Sequence, residues 1–276
     1  MSDQSEWIVV GELAHGFGEN NLPDSDGLVG QEFDLHFEQG GVIRHCFNSA
    51  QQLEWCYQDG SEPSWVAETY SAVNPRAGIY FVDFAKHQEP GTTVSLVLDI
   101  NRGWATAVIS KMPESTEMQR SLLSRVMAGE PLTPVKVDFL RATLDKPFSE
   151  AGEDFHAPTE EMVGWRVEYS YAEDEVYEHI YLGPESYTWH CLKGNEKGLC
   201  DTDYCRFRKI DDNLYLFVWQ EKIVPTTGAL LLDFNAQRSC GKIVGYQGRE
   251  AGELCNFKVG AKAVRLNCTA YPCQQR

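Results

Sequence analysis

Apolar and polar residues alternate in short runs through most of this 276-residue chain. In "WRVEYSY" the residues Val167, Tyr169 and Tyr171 share one face of a half-buried strand, because strand side chains point to opposite sides in turn. The same alternation predicts strands at 165–171, 176–182, 186–191, 203–210, 214–222, 228–235, 239–246 and 261–271, separated by polar turns such as "AEDE". About eight antiparallel strands in roughly 110 residues are the count and size of a small up-and-down barrel, with a β-sandwich as the competing closure.

The pattern occurs twice. "LVGQEFDLHFEQGGVIRHCFNSAQQLEW" (28–55) aligns with "MVGWRVEYSYAEDEVYEHIYLGPESYTW" (162–189) at an offset of 134 residues. The same offset places "TTVSLVLDINRGWATAVI" (92–109) on "TTGALLLDFNAQRSCGKI" (226–243). A common offset across two distant blocks marks a duplication, so the chain divides into a copy at 1–145, a polar linker at 146–161 and a second copy at 162–276. One stretch departs from the strand period. "PESTEMQRSLLSRVMAG" (113–129) has Met118, Leu122, Leu123 and Val126 at helical spacing and predicts a helical insertion or cap in the first copy.

Composition narrows the function classes. With 41 acidic and 24 basic residues the net charge is −17, so nucleic acid and anionic membrane are expected not to be partners. No run approaches the roughly 20 apolar residues of a membrane span, and no signal peptide is visible at the N-terminus. Nine cysteines without a CxxC suit a reduced compartment, which gives a cytoplasmic expectation. Cys200 and Cys205 near His190 have unusual spacing for zinc, and no metal or cofactor is expected. Phosphate-loop, dinucleotide, zinc-protease and serine-hydrolase motifs are missing.

The candidate chemistry comes from comparing the copies. Where the second has Tyr169, Tyr171, Tyr177 and His190, the first has Leu35, Phe37, Ile43 and Cys56, and Glu221 has no acidic counterpart. Both sequences serve the same fold, so the fold does not require the polar set. The first barrel is therefore expected to have a packed apolar interior and the second a pocket. Tyr169 and Tyr171 could clamp an oxygen that gains negative charge, while a desolvated Glu221 could exchange protons near neutral pH. Tyr177, His190, Trp189 and Trp219 are expected to line the ligand. His45/His179 and Trp55/Trp189 recur in both copies and are read as serving the fold.

The residues 177–233, with "TWHCLKGNEKGLCDTD" and "WQEKIVPT", together with "LCNFKVGAKA", resemble the molybdenum cofactor biosynthesis protein F (MoaF) family. The resemblance covers essentially the whole chain, more weakly in the first copy. It implies an all-β fold of two tandem calycin (lipocalin-like) antiparallel barrels. The second copy is also distantly similar to the phenolic acid decarboxylases, single calycin barrels that act on hydroxycinnamates without a cofactor. Tyr169, Tyr171, Tyr177 and Glu221 fall on that family's tyrosines and glutamate. His190 stands where the family has an arginine, so the bidentate cation for a carboxylate is absent. Three expectations follow: a small aromatic or phenolic molecule held in the second barrel, a cofactor-independent lyase, isomerase or decarboxylase, or a regulatory partner in molybdenum cofactor synthesis. The oligomeric state stays open, a homodimer included.

Overall fold

The structure is a computed structural model, and it describes residues 7–270. Strands β1 (Glu32–Phe37), β2 (Val42–Phe47), β3 (Gln52–Tyr57), β4 (Val66–Arg76), β5 (Ile79–Ala85), β6 (Thr92–Asp99), β7 (Trp104–Lys111) and β8 (Lys136–Leu144) form a closed barrel. Antiparallel pairing of β1 with β8 seals it. A second closed barrel comprises β9 (Trp165–Ser170), β10 (Val176–Gly183), β11 (Ser186–Lys193), β12 (Cys200–Asp211), β13 (Leu214–Gln220), β14 (Thr226–Asp233), β15 (Arg238–Tyr246) and β16 (Leu254–Cys268). It closes where β9 meets both β10 and β16. Closure, not a sandwich, is the outcome, and it leaves neither sheet with an unpaired edge.

The sequence offset is also a register offset. Leu35 lies opposite Ile43 and His45 opposite Trp55, just as Tyr169 lies opposite Tyr177 and His179 opposite Trp189. The predicted strands of the second barrel agree with the observed ones to within a few residues, except that β16 begins at Leu254, well before 261. Its start, "LCNFK", is half-buried throughout and shows no period-2 contrast to read.

The predicted insertion is two short helices, α2 (Ser115–Met118) and α3 (Leu122–Ala128). Ser121 adopts an extended conformation and its hydroxyl accepts from the Ser124 N–H, which caps α3 and ends continuity with α2. Gly129, at φ 67°, supplies the left-handed stop.

Two compact units emerge, and their boundaries do not follow the sequence copies. One comprises residues 22–111 and 137–157 and contains the first barrel. The other joins the second barrel to the N-terminal segment through Asn21 and to 112–136. The insertion therefore belongs with the second barrel rather than the first. Tyr246 donates its hydroxyl to the Pro113 carbonyl at 2.7 Å, Gln220 donates to the Val135 carbonyl at 2.6 Å, and Thr133 donates to the Glu221 carbonyl at 2.8 Å. Such pairings across 88 and 133 positions leave no trace in a local pattern.

Candidate functional site

The inner face of the second barrel is aromatic. Tyr169 projects from β9, Tyr177, His179 and Tyr181 from β10, Tyr187 and Trp189 from β11, and Phe217 and Trp219 from β13; all are buried. The Tyr169 and Tyr181 hydroxyls bond each other at 2.6 Å. Desolvation raises both phenol pKa values well above the ordinary 10.0, so the pair stays neutral. Tyr169 is thereby committed within the protein. Tyr171 and Tyr187 differ: among the described residues neither hydroxyl has a hydrogen-bond partner. Burial also holds these two phenols protonated.

One end of the barrel gathers carboxyl groups. Tyr177 donates to Glu196 Oε2 at 3.1 Å, and burial raises the Glu196 pKa against that bond. Trp189 Nε1 donates to Asp203 Oδ2 at 3.1 Å, and Lys222 Nζ lies 3.2 Å from Asp203 Oδ1 and 2.6 Å from Asp201 Oδ2. Glu175 takes the Asn195 N–H on Oε1, while its buried Oε2 has no partner. Gly194, at φ 129°, makes room for this carboxylate, since a Cβ there would sit 2.0 Å from Oε2.

Glu221 completes the group. It is half-buried as a residue, and desolvation raises its carboxyl pKa well above the ordinary 4.5, with Asp203, Glu196 and Asp201 adding repulsion that outweighs Lys222. Burial also raises Asp203, but Asp203 holds both Lys222 and the Trp189 N–H, so the neutral form is favoured more strongly at Glu221 than at Asp203. No described side chain hydrogen-bonds the Glu221 carboxyl. The site thus sets a carboxyl whose neutral form burial favours in the same barrel as the Tyr171 and Tyr187 phenols.

His190 does not join this set. Trp189 and His190 are adjacent on β11 and face opposite sides of it, and Trp189 is the inward one. His190 lies across from Glu178 on the outer face, with Nδ1 3.0 Å from Glu178 Oε1, and Arg166 binds the same carboxylate through two nitrogens. Its counterpart Cys56 lies across from Arg44, at the register that His190 and Glu178 repeat, so that contrast between the copies reports on the outer wall. Trp189 and Trp219 are interior as expected. Trp219 packs on Gly228 across the β13–β14 ladder, where a Cβ would approach its ring to 2.4 Å.

The N-terminal segment covers this end of the barrel. Phe17, buried beyond the short helix α1 (Val10–Leu13), places its ring 4.2 Å from Tyr171 and 5.5 Å from Tyr177. Trp7 meets Trp189 edge-on at 5.5 Å. Trp7 also lines a pocket of about 320 Å³ with Met118, Val224, Pro225, Tyr246 and Arg249. The site is therefore capped, with a solvent-facing pocket beside the cap.

The alternation pattern missed Glu175, Glu196, Asp203, Phe17 and Trp7. Asp203 sits two residues before inward Cys205 and could have been placed by period. The others lie in turns or in the N-terminal segment, where periodicity is silent. Among the described residues no His, Cys, Asp and Glu cluster has metal-holding geometry, and Cys200 and Cys205 are free.

Comparison with known proteins gives a consistent placement. Family models for the MoaF N-terminal domain and the MoaF C-terminal domain match residues 5–114 and 156–269. Protein MoaF of Klebsiella aerogenes is 36% identical over 98% of this chain and 99% of its own length. A crystal structure from Burkholderia vietnamiensis, provisionally called a beta-lactamase, is 16% identical with a TM-score of 0.33, over 38% of this chain and 96% of that one. The chain, matched along both barrels, belongs to the MoaF family.

Proposed function

We propose that this protein binds a small neutral aromatic molecule, a phenol by preference, at the capped end of the second barrel. The observation that carries this reading is the set of polar groups of this barrel without a hydrogen-bond partner among the described residues: buried Trp219 Nε1 and Glu175 Oε2, with the Tyr171 and Tyr187 hydroxyls and the half-buried Glu221 carboxyl. Buried hydroxyls and carboxyls normally find partners, and each left unpaired costs about 1–3 kcal/mol. A ligand that both donates and accepts hydrogen bonds recovers that cost. The aromatic walls favour a flat ring, and the surrounding carboxyl groups disfavour an anion. In the cytoplasm, where the eight described cysteines would stay the thiols they are here, the ligand would enter past Trp7 and lie beneath Phe17.

A second reading rests on Glu221 alone. A carboxyl whose pKa burial raises well above the ordinary 4.5, set near phenols, has the equipment of a general acid, which suits a cofactor-independent lyase or isomerase. Tyr169, engaged by Tyr181, would support such a site rather than act on the substrate.

The test is a titration of the full chain with p-cresol and with 4-hydroxybenzoate, read by tryptophan fluorescence, which the Trp7–Trp189 contact reports. Saturable binding of p-cresol is expected, weaker by about tenfold or more for the anionic analogue and in Glu221→Gln and Tyr171→Phe. Equal binding of the anion and the neutral phenol, or indifference to both substitutions, sinks the reading. Conversion of a bound phenolic compound, lost in Glu221→Gln, would move the conclusion to the enzyme.

A further inference from the structure

The two barrels repeat one register, so the ends marked by Phe37, Ile43 and Trp55 in the first and by Tyr171, Tyr177 and Trp189 in the second are equivalent. In the second barrel that end is occupied by the chain itself: the Phe17 ring rests on Tyr171 and Tyr177, and Trp7 rests on Trp189. In the first barrel Phe37, Ile43 and Trp55 instead line a cavity of about 210 Å³. The expected packed interior of the first barrel is thus not filled. The occupant built into the second barrel shows what the shared geometry accepts, an aromatic ring. A cavity of roughly 150 Å³ already admits benzene in other proteins, so this one takes a ring and a short substituent.

The polar groups differ in sign from those of the second barrel. Although the whole chain carries −17, no acidic residue among the described ones lines this cavity. Lys86 does line it, with its ammonium 5.1 Å from the Trp55 ring centroid, and its paired carboxylate, Glu89, is exposed. With Glu89 at the surface, the pair is open to solvent competition on that side. Trp55 Nε1 is a buried donor without a partner. His45 is buried too. Its Nδ1 has no partner among the described residues, and burial lowers its pKa to about 4. The cavity therefore presents apolar walls, one cation, one free N–H donor and a neutral imidazole.

From these contacts we infer that the first barrel is a second binding site, for a small arylcarboxylate whose ring fills the position Phe17 takes in the other barrel and whose carboxylate is held by Lys86 and the Trp55 N–H. The ring supplies the apolar burial. The carboxylate supplies the acceptor that both donors lack, and it displaces Glu89 from Lys86.

Phenylacetate is the probe, added to the full chain with ¹⁵N-labelled tryptophan and followed by the indole N–H resonances, with calorimetry for stoichiometry; Trp55→Phe assigns the reporting signal. One equivalent is expected to bind saturably and to shift the Trp55 indole signal. Lys86→Met, at the rim, is expected to weaken the Trp55 response about tenfold, and benzyl alcohol to shift the Trp55 signal of the native protein about as poorly as phenylacetate shifts that of the variant. Ala107→Leu, which fills the cavity, should abolish binding; Lys86→Met carries the test if that variant fails to fold. Glu221→Gln should leave phenylacetate binding unchanged, which separates this site from the one proposed above. No saturable Trp55 shift at about 10 mM overturns the inference, as does binding indifferent to Lys86→Met. Binding lost in Glu221→Gln also overturns it, by placing the ligand in the second barrel.

Discussion

The Tyr169 and Tyr181 hydroxyls meet at 2.6 Å inside the second barrel, each the other's partner. A buried phenol pair of this kind is neutral as a unit, since one O–H donates while the other accepts. It therefore holds β9 to β10 through their side chains as well as through the ladder. It also takes Tyr169 out of direct ligand contact.

Removing one member strands the other. Tyr169→Phe is expected to destabilise the second barrel by about 1–3 kcal/mol, and Tyr169→Phe/Tyr181→Phe by less than the sum of the single substitutions. Urea unfolding of the full chain, followed by tyrosine and tryptophan signals, measures both. A fully additive double substitution would show that the contact contributes nothing specific.

Phe17 tests the cap. Phe17→Ala removes a buried ring that packs on Tyr171 and Tyr177, at a cost of about 3–5 kcal/mol if the segment stays docked. Release of the segment limits that loss and opens the barrel end instead. The expected signature is faster amide exchange across residues 10–17 with β12–β15 unchanged. Uniform acceleration throughout the barrel would show that Phe17 belongs to the global core.

The carboxyl groups predict an unusual pH dependence. Glu221, Glu196 and Glu175 have folded pKa values above the ordinary 4.5. The folded state then binds more protons than the unfolded state, so their contribution is complete below about 4.5 and is lost as pH rises through the folded values. Glu178 and Glu161, lowered chiefly by Arg166 and Lys209, act in the opposite sense at lower pH. Glu221→Gln is expected to flatten the decline in Tm between about pH 5 and 8. An unchanged slope would place the proton elsewhere.

His190 separates the outer wall from the pocket. Because it pairs with Glu178 on the outside, His190→Ala is expected to change stability by less than about 1 kcal/mol and to leave p-cresol binding intact. A large loss of binding would mean that the outer network reaches the interior.

Gly228→Ala probes Trp219. The added methyl group would meet the indole at 2.4 Å, so the ring must turn away from β14. A loss of about 1–3 kcal/mol with a shifted tryptophan emission is expected, and native emission at native stability would show that the contact is loose.

The sequence by itself determined the strand pattern, the duplication and the candidate set Tyr169, Tyr171, Tyr177, Trp189, Trp219 and Glu221. These follow from a period of two and from a repeat offset, both local properties of the chain. The same period, applied to Trp189 and His190 together, already forbids both from facing inward. Only the tertiary structure decided that Tyr169 is committed to Tyr181, that Phe17 and Trp7 cap the second barrel, and that residues 112–136 join it. It also decided which interior is left unfilled: the polar barrel receives a ring from its own N-terminal segment, while the apolar one keeps a cavity. The Tyr169–Tyr181 pair spans 12 positions, while the cap and the docking of 112–136 rest on contacts 85 or more positions apart, set by which surfaces bury together, and no local pattern encodes them.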